Sequence, residues 1–404
     1  MIPVEEAVAR IIAAFKPLAP EQVSLASAHG RVLDEDAISR RTQPPVAVSA
    51  MDGYAVIAAD VADVPVTLDV VAYVAAGDRH EGTLTPGQAS RIFTGAPVPD
   101  GANAIVIQEN TDAAEDRVTV KESVDEGRYI RPAGLDFRAG DVGLKAGRVL
   151  SARDIGFAAA MNLPWLMVRR RPKVAILATG NEIVMPGDNI AASQIVSSNS
   201  LALGATITAL GGDPLQLGIA PDDREALRSM VAGARGTDLL LTTGGISVGE
   251  HDLVRSVLGE EGLELDFWQI AMRPGKPLMF GKIGETPVIG LPGNPVSTMV
   301  CAMIFIKPAL QAMLGMEQSH GPRTTATLGG DLGENDERQD YLRAQLSYDD
   351  SGEAVATPFS RQDSSMMSRL AQADCLVVRT PGAPVLKAGN KVEIIRIEGG
   401  LVQI

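Results

Sequence analysis

Leu239-Leu240-Leu241-Thr242-Thr243-Gly244-Gly245-Ile246-Ser247-Val248-Gly249-Glu250-His251-Asp252 runs straight into Leu253-Val254-Arg255-Ser256-Val257-Leu258. The leading apolar run reads as a buried strand, and the segment from Asp252 to Leu258 reads as a helix. A strand therefore delivers three glycines, a serine and two carboxylates to a turn that opens a helix. Glycine lets a backbone approach a ligand closely, and free N–H groups at a helix start attract anions. The same letters contain Gly-x-Ser-x-Gly, from Gly245 to Gly249, the elbow of a serine hydrolase. An anion cradle and a nucleophile turn are the two chemistries this stretch allows.

The flanking sequence repeats the same grammar. Val174 to Ala178 reads as a buried strand, Asn199 to Leu210 as a helix, and Leu215 to Ile219 as a strand. Asp222 to Ala234 is a helix with Leu227, Met230, Val231 and Ala234 on one face, and Asp238 to Thr242 is the next strand. Alternation of this kind specifies βαβ units and a parallel sheet covered on both sides. Two β runs follow, Trp268 to Met272 and Leu278 to Phe280. A third strand then ends at Leu291, before Pro292-Gly293-Asn294-Pro295 and an apolar helix from Val296 to Leu314. Asn294 suits an N-cap and Pro295 the first helical position.

Outside this block the pattern changes. Val4, Val8, Ile11, Ile12 and Phe15 make the apolar face of an opening helix that Pro17 ends. From about residue 40 to 150, short β-like runs (Val66 to Val74, Ala104 to Ile107, Arg117 to Val120) are broken by Gly, Pro and Asp. Ser151-x-x-Asp154 reads as a capping box for a helix through Met161, and Arg169-Arg170-Arg171-Pro172 as a solvated boundary. From about 323 the chain is β-like again, with a hairpin turn at Asp349 to Gly352 and strands at Cys375 to Val378 and Val392 to Ile397.

A chain of 404 residues implies two to four domains. Its net charge of −14 argues against a nucleic-acid partner, because no basic excess exists to neutralise phosphates. Cys301 and Cys375 are far apart and form no Cys-x-x-Cys, which suits a reducing cytoplasm. No signal-like N-terminus and no 18-residue apolar span is read, so a soluble cytoplasmic protein away from membranes is expected.

A serine hydrolase needs an acid and a histidine later in the chain, plus an oxyanion loop. His251 lies only four residues from Ser247, His320 sits in a polar linker-like stretch, and no upstream His-Gly-Gly exists. The anion-cradle reading uses more of the sequence. Gly-rich turns at Thr243 to Gly249 and Leu291 to Ser297 join a third strand end at Ala178-Thr179-Gly180-Asn181-Glu182, all suited to the carboxyl edge of one sheet. Glu182, Asp252 and Asp222 bring carboxylates there, although Asp222 alone is most simply an N-cap and Glu182 alone a surface carboxylate. Carboxylates beside phosphate-type loops call for Mg²⁺. Arg273-Pro274-Gly275-Lys276-Pro277 adds two cations on a stiffened turn, suited to an oxyanion.

With Ser49-Ala50-Met51-Asp52-Gly53-Tyr54-Ala55 and Arg91-Ile92-Phe93-Thr94-Gly95-Ala96-Pro97, these stretches give five motifs in order: 49–55, 91–97, 242–252, 273–277 and 291–297. On them the chain resembles the molybdopterin molybdenumtransferase family of MoeA-like proteins, which includes the E domain of gephyrin. The resemblance implies an α/β and β multidomain fold. Its parts would be a central three-layer α/β/α domain with a mostly parallel sheet, a β-rich N-terminal lobe and a small C-terminal β-barrel-like domain. The corresponding boundaries are 1–40 with 140–172 (an elongated dimerisation domain), 41–139 (the inserted lobe), 173–322 and 323–404. It implies a cytoplasmic homodimer, with the active site near the subunit interface, that inserts molybdate into adenylylated molybdopterin and releases AMP, with Mg²⁺ as cofactor.

Carried over by motif, the catalytic set is Asp52, Thr94, Asp136, Glu182, Asp222, Asp252, Arg273 and Lys276. Asp52 and Thr94 would face the partner's α/β domain, Glu182, Asp222 and Asp252 the metal, and Arg273, Lys276 and Ser297 the molybdate. Substrate-binding positions are Gly244, Gly245, Ser247, Gly249, Pro292, Gly293, Asn294, Pro295 and Ser297, with Arg343 and Ser364 from the C-terminal domain. Two departures stand out: Asn181 replaces an Asp of many relatives, and Gln269 a Lys of some. Neighbouring readings are a molybdopterin adenylyltransferase, which lacks the 49–54 segment and the flanking β regions, and a pterin-binding or scaffolding protein. The adenylyltransferase and molybdoenzyme maturation factors are the candidate partners.

Overall fold

The computed structural model describes residues 1–245, 253–316 and 323–397. Its centre is a six-stranded sheet in the order Asp213–Ala220, Lys173–Thr179, Leu239–Thr243, Thr286–Leu291, Pro277–Ile283, Leu263–Gln269. The first four strands are parallel and the last two add antiparallel. Every residue of Leu239–Thr243 is buried, as expected of a parallel strand covered on both faces. Alternate side chains point to two cores. Val174, Ile176, Leu239 and Leu241 pack with helix Asn199–Ala209 and the helical run after Pro295. Ala175, Leu177 and Leu240 pack with Leu227, Val231, Val254 and Val257 of the helices on the other face.

Strand direction fixes where function can sit. The parallel strands end at Thr179, Ala220, Thr243 and Leu291 along one carboxyl edge. Leu263–Gln269, antiparallel to an antiparallel neighbour, also ends there.

Three local expectations change. Trp268 to Met272 is not one strand. Its backbone breaks at Ile270, and Met272–Arg273 pairs in parallel with Gln339 and Asp340 of the C-terminal region. Ile2 fills the break, donating to the Gln269 carbonyl at 3.1 Å and accepting from the Ala271 N–H at 2.8 Å. The opening helix, Val4–Ala13, buries Val4, Ala7, Val8 and Ile11 in the α/β core beside helix Lys307–Met313, rather than within the N-terminal region. Its apolar face finds there the larger hydrophobic surface. The helical run Pro295–Met313 is 19 residues long and apolar enough to cross a membrane, a span the sequence reading missed; 83% of its most apolar 18-residue window is buried inside the protein, as in a core helix.

The N-terminal lobe is a second six-stranded sheet, Ala104–Ile107, Gly53–Val56, Gln88–Ile92, Val66–Val74, Arg117–Val120, Thr111–Ala114. It grows from a smaller unit in which Pro20–Ser24 pairs with Trp165–Arg169 and Ala37–Ile38 with Val142–Leu144. There the Ser151–Asp154 capping box starts helix Ala152–Ala160. The C-terminal strands, in the order Gln339–Tyr348, Ala354–Pro358, Arg323–Leu328, Lys391–Arg396, Cys375–Arg379, close through pairing of the first with the last. Five strands thus form a barrel, and Met272–Arg273 adds to its outside.

Candidate active site

The turn after Thr243 admits glycine alone at its start. Gly244 has φ +87° and Gly245 φ +66°, the left-handed region. A Cβ on Gly244 would lie 2.5 Å from the Thr179 carbonyl oxygen. One on Gly245 would lie 2.7 Å from Thr179 Oγ1 and collide with Val254. The rest of this turn, including Ser247, Gly249 and Asp252, lies outside the described residues.

The turn after Leu291 comes up beside it, so that a Cβ on Gly293 would meet the Gly244 Cα at 3.6 Å. The Pro292 carbonyl accepts from Thr298 Oγ1 at 2.6 Å and from Thr243 Oγ1 at 3.4 Å. Pro295 opens the helix as expected, but Asn294 does not cap it with its side chain. Its amide instead donates to Ser364 Oγ at 2.9 Å, and the Val296 N–H donates to the Ser364 carbonyl at 3.1 Å. Ser364 therefore reaches the turn from the barrel, while Ser297 is buried in the helix start.

Acidic residues line the other side of the edge. Asp222 is not a helix cap: Asp223 holds that position, accepting from the Ala226 N–H at 2.8 Å. Asp222 is exposed and faces Asn181, whose N–H donates to Asp222 Oδ2 at 3.2 Å; in return Asn181 Oδ1 accepts from the Asp222 N–H at 3.1 Å. Glu182 is exposed next to it. Among the described residues no three His, Cys, Asp or Glu side chains converge on one point. Asp252, the third carboxylate of the expected Mg²⁺ set, lies outside the described residues, so Glu182 and Asp222 are the described part of that set.

The two cations of the 273–277 turn have different surroundings. Arg273 ion-pairs with Asp340 and, at 3.2 Å, with Asp336, and donates to Asn335 Oδ1 at 3.4 Å. Arg338 and its own neighbouring carboxylate set this cluster: the Arg338 guanidinium and N–H hold the Asp336 carboxyl down to about 2. Arg273 is thus tied to the barrel by two carboxylates, with about half of its side chain still exposed, 48%. Lys276, half-buried, accepts from the Ile270 N–H at 3.0 Å through its carbonyl, while its ammonium has no partner among the described residues and is the available positive charge. Arg343 is also corrected. At 1% exposure it cannot touch a ligand, and burial pushes its guanidinium pKa down. It donates to the Asp363 carbonyl at 3.1 Å, holding the segment that carries Ser364.

In the N-terminal lobe two motifs meet. Asp52 Oδ1 accepts from the Thr94 N–H at 2.7 Å and from Thr94 Oγ1 at 2.8 Å. These bonds hold the Asp52 carboxyl below its ordinary range. Arg91 stacks over Tyr54 and Phe93, at 5.1 and 4.8 Å, and donates to the Gly53 carbonyl at 3.1 Å. Asp136 is exposed. Among the described residues no hydrogen bond or ion pair joins Asp52, Thr94 or Asp136 to the α/β domain. The described hydrogen bonds link the two Gly turns to each other and Asp222 to Asn181 along the carboxyl edge, and Asp52 to Thr94 within the lobe. Sequence reasoning passed over Asn199 and Thr243, which tie the two Gly turns; Asn199 carried only the signal of a helix start.

Family models cover the chain in three consecutive parts. A MoeA N-terminal region (domains I and II) matches residues 2–162, a probable molybdopterin binding domain 175–312, and a MoeA C-terminal region (domain IV) 325–397. Molybdopterin molybdenumtransferase of Nostoc sp. is 34% identical over 386 residues, 93% of this chain and 88% of that protein. The chain belongs to the MoeA family. Molybdopterin molybdenumtransferase of Haemophilus influenzae is 32% identical over 94% of both chains. The crystal structure of a molybdopterin biosynthesis MoeA protein from Pyrococcus horikosii superposes with a TM-score of 0.87 at 31% identity. It covers 99% of this chain and 100% of that one. The multidomain fold of this MoeA-family chain, with its strand-rich N-terminal region, mixed sheet and closed barrel, is therefore the fold of that solved relative.

Proposed function

We propose that this chain is a molybdopterin molybdenumtransferase that inserts molybdate into adenylylated molybdopterin with release of AMP. The observation that carries the reading is the meeting of two Gly turns, a Pro-flanked turn bearing Lys276, whose ammonium has no partner among the described residues, and two carboxylates along one sheet edge. Both substrates are anions, so the site must neutralise charge and fix geometry rather than supply a nucleophile. Backbone N–H groups of the Gly turns and the helix start at Pro295 are suited to the pyrophosphate linkage. Lys276 would hold the molybdate oxyanion; Arg273 would hold the barrel against the edge, and Arg343 would hold Ser364.

Mg²⁺ dependence belongs to the same proposal, with Glu182, Asp222 and Asp252 as its ligands and charge neutralisation at the phosphoanhydride as its contribution. So does the homodimer, in which Asp52, Thr94 and Asp136 of one subunit would complete the edge of the other. That no hydrogen bond or ion pair among the described residues joins these three to their own α/β domain supports that arrangement. Two buried, unpaired cysteines support a cytoplasmic setting. The test is turnover of purified protein with adenylylated molybdopterin and low molybdate, followed by cofactor and AMP formation. Both products should appear together and both should fall when EDTA is added. Adenylylation of molybdopterin, or binding without turnover, would overturn the assignment in favour of an adenylyltransferase or a scaffolding protein.

A further inference from the structure

We infer that Asn199 is a positioning residue that locks the two anion-binding turns to each other. Asn199 is the first residue of helix Asn199–Ala209, and its side chain does not cap that helix. Its Nδ2 donates to Thr243 Oγ1 at 2.9 Å and to the Gly293 carbonyl at 2.8 Å. Both amide protons are thereby used, one on each Gly turn. Thr243, 2% exposed, passes the link on by donating to the Pro292 carbonyl at 3.4 Å. The orientation of the amide follows from its partners. A carbonyl oxygen only accepts, so Nδ2 and not Oδ1 must face Gly293.

The tie lies where the backbones are closest, since a Cβ on Gly293 would sit 3.6 Å from the Gly244 Cα. Strand pairing stops at Thr243 and Leu291. Among the described residues beyond it, the side chains of Asn199 and Thr243 bridge the two turns. The helix that carries Asn199 also follows the segment leading from Glu182 through the short strand pair Ile183–Val184 and Ile195–Val196. Three loops of the carboxyl edge thus converge on one carboxamide. N–H groups aimed at an anion act only when their spacing is fixed before the ligand arrives. Asn199 supplies that fixing without touching substrate.

This inference rests on the transferase reading, and its test is a double-mutant cycle on the full-length protein. Asn199→Asp keeps the shape and removes both donated protons; Thr243→Val keeps the shape and removes the hydroxyl; Thr243→Ser retains it. Asn199→Asp and Thr243→Val should each lower kcat/KM by about tenfold, mainly through raised KM for the pterin substrate, and Thr243→Ser should restore it. The double variant should be no worse than either single, because both act through one link. Melting temperatures near wild type separate lost positioning from lost folding, and direct titration of molybdopterin binding reads the same weakening without turnover. Wild-type kcat/KM in Asn199→Asp, or strictly additive losses in the double variant, would overturn the inference while leaving the transferase reading intact. If Asn199→Asp does not fold, the Thr243→Val and Thr243→Ser pair decides alone. A wild-type protein that does not turn over would sink the transferase reading instead.

Discussion

Arg273 and Lys276 share one turn, yet their electrostatic fates diverge. Arg273 faces Asp336 and the buried Asp340, so its charge is committed to joining two domains. Lys276 has no such partner among the described residues and keeps its charge for a ligand. Lys276→Gln should therefore raise KM for molybdate by ~10- to 100-fold, the effect of losing one charge-assisted hydrogen bond, with an unchanged melting temperature. Arg273→Gln should do the reverse first, lowering stability by about 1–3 kcal/mol because Asp340 is left buried without its cation. Molybdate titration and thermal melts on the two variants read the contrast. Equal effects on both readouts would show that the cations are not divided in this way. Charge type and spacing made both residues visible in the sequence, but the partners that separate them come from a strand far along the chain.

At the scale of elements, the turn after Thr243 is the most demanding. Gly244→Ala would place a Cβ 2.5 Å from the Thr179 carbonyl at φ +87°. It should cost about 1–3 kcal/mol in urea unfolding and weaken substrate binding together, since the strained turn carries the N–H groups. A stable variant that binds as wild type would show that the turn tolerates a side chain. The strands that deliver these turns were legible because parallel strands buried on both faces read as unbroken apolar runs, as Val174 to Ala178 does. The helix starting at Asn199 was legible in the same way. What local pattern does not encode is a partner distant in sequence. The break at Ile270 follows from pairing with Gln339–Asp340, and the roles of Asn294 and Arg343 follow from the barrel loop at Ser364. Asp222 was mistaken for a cap because its neighbour Asp223 is equally suited by type, and only the bond to Ala226 separates them.

Across the whole molecule, the barrel is joined to the α/β domain through Arg273 and through the Asn294–Ser364 contact. Among the described residues no such hydrogen bond or ion pair joins Asp52 or Thr94 of the N-terminal lobe to the α/β domain; Asp52 and Thr94 hold each other. The two bonds donated by Thr94 hold the Asp52 carboxyl below its ordinary range. The proposed homodimer, with each site built from one subunit's lobe and the other's edge, makes this arrangement testable by complementation. At molybdate well below the raised KM, Asp52→Asn and Lys276→Gln proteins should each be nearly inactive as homodimers. After subunit exchange, half the dimers pair one of each, and one of the two sites in such a dimer is free of substitutions. Activity should then recover to about a quarter of wild type, as two-fold symmetry requires. Native mass spectrometry follows the exchange. Mixed dimers without recovered activity would mean that each site is assembled within a single chain, and that the lobe must swing onto its own sheet edge.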